Sequence, residues 1–169
     1  MILPNNEVFS IRKDDRSKIL EFFIGYCNLV VHQSTGMQFF TRMPVSLQPF
    51  FKEALGLYTK AMLQKNLTEA WYQLERAHVI GQAYPYQHSL VHWKMLVFGC
   101  KIKSVKEILG QIPRLLVGGV KSFVGTIPVG NTGGANVPPM RSMPIQDEIK
   151  TIFIEAGVRI PGSSTHTAS

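Results

Sequence analysis

The segment ERAHVIGQAYPYQHSLVH, running from Glu75 to His92, holds three of the chain's five histidines together with one glutamate. Glu75 and His78 stand three apart, and His88 and His92 stand four apart. Both spacings place a pair of side chains on one face of a helix. Between the pairs lies Gly81-Gln82-Ala83-Tyr84-Pro85, the makeup of a helix stop followed by a turn. The segment therefore predicts a helical hairpin. With a rise of ~1.5 Å per residue, His78 comes level with His88 and Glu75 level with His92 if the two helices fold back about Pro85.

Three imidazoles and a carboxylate converging between two helices suit zinc or another divalent first-row ion. Glu-x-x-His is also the pair that a helix contributes to ferritin-like di-metal bundles. The second such pair and the additional glutamates are missing, so a single-ion site of Glu75, His78, His88 and His92 is the form expected. Inward-pointing polar groups must be satisfied, because leaving one unpaired costs on the order of 1–3 kcal/mol. A metal would do so. A network of hydrogen bonds to Glu75, Gln82, Gln111, Arg114 or loop carbonyls would do so equally, and the spacing does not choose between them.

Working outward, the pattern is helical on both sides. Asp14 or Asp15 can cap a helix reaching about Val31. Ser46, with Pro49 in the first turn, opens a second whose face is Phe50, Ala54, Leu57, Ala61 and Met62. Asn66-x-x-Glu69 resembles a capping box for a third over about 67–82, with Leu67, Trp71, Leu74 and His78 as its stripe. A fourth starts near Tyr86 and reaches about Ile102. Ser104-x-x-Glu107 caps a fifth, with Val105, Ile108, Leu109, Ile112 and Leu115/Leu116 as its stripe and a break expected at Pro113. Eight Gly and Pro residues between Gly125 and Pro144 then argue for an ordered loop. Ile145 to Ala156 reads as a short last helix closed by Gly157. The segment Pro128-Val129-Gly130-Asn131-Thr132-Gly133-Gly134 leads into Val137-Pro138-Pro139 and not into a helix. It is read as a tight loop packed across the core, with Asn131 and Asn136 holding turns, and not as a phosphate cradle.

The totals set bounds. At 169 residues and 45% hydrophobic, the chain suits one domain with a real core. The net charge of +7 is spread over the chain without clusters, which does not favour nucleic acid. Cys27 and Cys100, in apolar surroundings, are expected to be buried free thiols in a reducing compartment. No secretory signal is seen, and no apolar run reaches the ~20 residues of a membrane span. The expected organisation is a helical appendage over residues 1–36, a helical domain over 37–157 and a flexible tail over 158–169.

Several motifs in one order carry a resemblance: Ala70 to Gln82, His88-x-x-x-His92-Trp93-x-Met95-Leu96, Glu107 to Gln111 with Arg114, and Pro128-x-Gly130-Asn131-Thr132-Gly133 with Met143-Pro144-Ile145. Over about residues 40–155 the chain resembles a small bacterial family known only as a domain of unknown function. The resemblance implies a bacterial, cytoplasmic helical protein and brings no activity with it.

The fold class expected is all-α: helical hairpins, loosely tetratricopeptide-like, with a long Gly/Pro-rich ordered loop and a short C-terminal helix. Two functions stay open. One is a divalent-metal or ligand-binding protein using Glu75, His78, His88 and His92, an enzyme if the metal keeps an open position. The other is a tetratricopeptide-like module for a protein partner, in which the histidines are a structural hydrogen-bond network.

Overall fold

A computed structural model describes residues 42–118 and 128–161. These residues form five helices and no strand: α1 (Gln48–Leu63), α2 (Leu67–Gly81), α3 (Pro85–Lys101), α4 (Val105–Gly118) and α5 (Asp147–Glu155). The helix expected before Val31, Cys27, the boundary at residue 36 and most of the tail lie outside the described residues. The class is all-α, as expected. The tetratricopeptide likeness gains no support from it.

Successive helices pack on one another through two short turns of the same construction. Residues 64–66 join α1 to α2, and 102–104 join α3 to α4. Each turn places a lysine in the left-handed region, Lys65 at φ 58° and Lys103 at φ 55°. Each then bonds the next backbone N–H to the carbonyl five residues earlier, Asn66 to Ala61 and Ser104 to Gly99. This closes the preceding helix as a glycine cap would. The same residues start the following helix: Asn66 accepts from the Glu69 N–H and Ser104 from the Glu107 N–H. The expected caps are thus present, but the reciprocal half of each box is absent. The Glu69 and Glu107 carboxylates turn instead to Gln73 and Gln111.

The core runs along α1, α2, α3 and α5. Leu47, Leu74, Ile80, Val91, Met95, Ile149 and Phe153 are fully buried within it. Each large aliphatic or aromatic chain so buried contributes about 1.5–3 kcal/mol. Arg76 lies across this packing, paired with Glu148 of α5 at 2.9 Å and with Glu53 of α1 at 3.8 Å. Both carboxylates are half exposed, so each pair contributes no more than about 1 kcal/mol.

Four expectations are corrected. Leu47 and not Ser46 stands at the N-cap of α1, and Phe51 and Tyr58 rather than Phe50 and Leu57 point inward, a one-residue shift. Leu67, expected in the stripe of α2, is exposed because it stands at the first helical position, before the core begins. Cys100 is a free thiol but exposed, since it closes α3 on the outer side. Pro113 does not break α4. The ring removes one N–H, whose acceptor would be the carbonyl of Leu109, a residue 61% exposed where water can replace the bond.

The largest departure is the facing of α4. Val105, Leu109 and Ile112 are exposed, whereas Gln111 and Arg114 are buried alongside Leu115. A helix turns its polar side inward only if partners wait there, and the partners are histidines and loop carbonyls.

Candidate metal centre

His78 comes from the last turn of α2, and His88 and His92 from the first two turns of α3. The turn at Pro85 faces the two helices so that the three Nε2 atoms converge. His78 to His88 is 2.9 Å, His88 to His92 is 3.0 Å and His78 to His92 is 3.1 Å. The rings meet edge to face or tilted, with centroids 4.6–4.7 Å apart. His78 and His92 are buried and His88 is half-buried. Three nitrogens bound to one ion at about 2.1 Å stand about 3.0 Å apart at right angles and about 3.4 Å apart at tetrahedral angles. The observed triangle has the size of such a face.

The far sides of two rings decide what the near sides can do. His78 Nδ1 lies 2.8 Å from the Asn131 carbonyl, which can only accept. His92 Nδ1 lies 2.7 Å from Gln111 Oε1. The Gln111 amide cannot be turned over, because its Nε2 donates to Glu107 at 2.7 Å and to the Gly133 carbonyl at 2.9 Å. Both Nδ1 atoms therefore carry the hydrogen. In the neutral rings both Nε2 atoms are bare lone pairs pointing at each other across 3.1 Å. His88 can donate its one Nε2 hydrogen to only one of them. The three nitrogens lie close enough together to hold one ion. Orienting partners on the outer nitrogens are what metal-bound histidines require.

Residues 45–153 match the family model described as a protein of unknown function, DUF3703. The chain belongs to DUF3703. No curated protein and no solved structure matches it. The three clustered histidines of this DUF3703 chain, His78, His88 and His92, lie with Gln111 and Asn131 inside the matched span.

The expected site residues divide. His78, His88 and His92 form one group with ligand atoms within 4.8 Å of one another, and Glu75 is not in that group. The Glu75 carboxyl lies against the loop instead, facing Gly134, Thr132 and Trp71. Burial pushes its pKa up, hydrogen bonding with Thr132 and Trp71 pulls it back, and the Glu107 charge adds to the rise. Glu107 enters from the other side, reaching His92 through Gln111 and also accepting from the Ala135 N–H. Gln111 and Arg114 were nameable from the sequence only as possible bonding partners. The roles of Glu107 and Asn131 carried no signal beyond a cap and a turn.

The DUF3703 loop after α4 is built onto this centre. Asn131 donates its amide hydrogens to the Pro138 and Arg141 carbonyls and accepts from the Gly133 N–H. Arg114 bonds the carbonyls of Gly110 and Val137. Asn131 thus holds the turn as its sequence suggests.

Burial holds the His92 imidazole well below its ordinary 6.5, and the His88, His78 and Arg114 charges lower it further against the Gln111 bond. In the unfolded chain the same ring takes a proton below about pH 6.5. The folded protein refuses that proton, so acid favours unfolding. Metal-free protein is expected to keep full stability above about pH 7 and to lose it as the pH falls below 6.5. Urea midpoints at pH 7.5 and 5.5 test this, and an unchanged midpoint would contradict it. Glu75, shifted up, acts in the opposite sense at lower pH, so the comparison stops at 5.5.

Proposed function

We propose that this protein binds one divalent first-row transition ion through His78, His88 and His92. The observation that carries the reading is the convergence of the three Nε2 atoms within 2.9–3.1 Å of one another while the Nδ1 atoms of His78 and His92 face outward partners. An all-imidazole donor set suits zinc, copper, nickel, cobalt or iron, and excludes magnesium and calcium as preferred occupants. Glu75, one turn before His78, enters the proposal as the carboxylate that offsets part of the ion's charge from α2. Glu107 offsets it from α4 through Gln111. Three protein ligands leave at least one position for an exogenous ligand, the arrangement of a catalytic rather than a closed structural site.

The test is metal content of the purified protein, followed by titration of the chelator-treated protein with zinc, nickel, cobalt and iron. One equivalent and a rise in melting temperature are expected. Binding at 100 times Kd stabilises by about 2.7 kcal/mol, a shift of several degrees. No stoichiometric ion and no shift with any of the four would overturn the reading.

One observation favours a protein-interaction role beside it. Val105, Leu109 and Ile112 form an exposed stripe along α4 at helical spacing, 66%, 61% and 42% accessible. If the stripe meets a second copy, Leu109→Lys is expected to lower the sedimentation coefficient. A monomer before and after the substitution removes that use of the stripe.

A further inference from the structure

Gln82 is 4% exposed, and neither its Nε2 nor its Oε1 has a hydrogen-bond partner. A buried primary amide with nothing to bond is costly to the fold, and such a group calls for a reason. Its position supplies one. Gln82 continues the backbone of α2 at φ −61°, ψ −27°. It stands four residues after His78, on the same stripe and one turn on. Long side chains on a helix lean back toward the N-terminus, over the residues three and four before them. A side chain at this position extends, by that rule, over the turn of α2 that carries His78. It forms no bond to the imidazoles themselves.

We infer that Gln82 holds the exogenous ligand of the metal: a bound water, or the small oxygen- or nitrogen-donor anion that replaces it. The inference rests on the metal reading above. An amide suits this task because it offers both roles. Its N–H groups donate to a bound hydroxide or anion, and its carbonyl accepts from a bound water. The imidazoles cannot take either role once their Nε2 lone pairs are on the ion and their outer nitrogens are committed to Asn131 and Gln111. Gln82 is a positioning residue that contributes nothing to holding the ion.

The test uses full-length protein loaded with cobalt(II), with azide as the probe and the visible spectrum as the readout. Gln82→Met keeps the shape and removes both polar atoms. It is expected to leave the cobalt Kd within about threefold, weaken azide binding about tenfold or more, and raise the melting temperature of the metal-free protein. A role in packing alone would move the melting temperature and leave azide binding unchanged. Gln82→Glu separates the polar roles: it is expected to weaken azide binding at least as much, because it sets a charge against the anion. Azide affinity within twofold of wild type in cobalt-loaded Gln82→Met overturns the inference while the metal reading stands. Failure of the wild type to bind cobalt, zinc, nickel or iron overturns both.

Discussion

His92→Ala is expected to abolish stoichiometric metal binding at micromolar protein. Structural metal sites release on the order of 10–16 kcal/mol, shared over about four ligands, so one lost ligand corresponds to about 3–4 kcal/mol, or 10²–10³-fold in Kd. His92 also carries the link to Gln111 and Glu107, which orients the ring and raises its basicity. Removing only that link should cost less. Gln111→Ala leaves all three ligands in place and is expected to weaken binding about 10–100-fold. The order wild type, Gln111→Ala, His92→Ala, read by competition against a chromophoric chelator, is the expected result. Binding by His92→Ala at the wild-type level would remove His92 from the site. Equal effects of the two substitutions would show that Gln111 is needed to assemble the site and not merely to orient a ring.

Gly133→Ala is expected to destabilise the protein by about 2–5 kcal/mol and to abolish metal binding with it. Gly133 has φ +83°, a conformation that L-residues adopt at a cost of about 1–2 kcal/mol. A Cβ there would lie 2.7, 2.8 and 2.9 Å from Cδ2, Nε2 and Cγ of His78. That ring cannot give way, because it is buried and tied to the Asn131 carbonyl two residues earlier in the same loop. Forcing an extra methyl into such packing adds about 1–3 kcal/mol. The atoms struck include Nε2, the nitrogen proposed to hold the ion. Gly56→Ala makes the control: it lies within α1 with nothing within 4 Å of the added Cβ, and is expected to stabilise by about 0.5–1 kcal/mol. Chemical denaturation of both variants reads the stabilities, and zinc titration of Gly133→Ala reads the site. Wild-type zinc affinity in Gly133→Ala would show that the loop does not support His78.

The two results together would bear on what the loop at 128–146 is for. From its sequence it reads as a tight loop across the core. In the structure it supplies the carbonyl that fixes the tautomer of His78, the carbonyl that orients Gln111, and the N–H that donates to Glu107. Loop and centre are one construction, so disturbing either is expected to disturb the other.

The sequence by itself determined the elements and the meeting of the histidines. Helix starts at Asn66 and Ser104, the turn at Pro85 and the closure at Gly157 are local events. Each is decided by a few residues whose hydrogen bonds stay within reach of their own backbone. The convergence of His78, His88 and His92 follows from the same local facts, since helical spacing and a short turn leave little else for them to do. Tertiary structure alone decided which way α4 faces. Apolar spacing pointed to Val105, Leu109 and Ile112 as the inner side, but Gln111 and Arg114 found charged and carbonyl partners inside, and those bonds outweigh the exposed stripe. It also decided that Glu75 leaves the cluster for the loop, and that Asn131 and Gln111 fix the outer nitrogens of His78 and His92. Those partners lie 53 and 19 residues away in the chain. No periodicity or spacing encodes a contact at such distance, because its existence depends on how the whole chain packs.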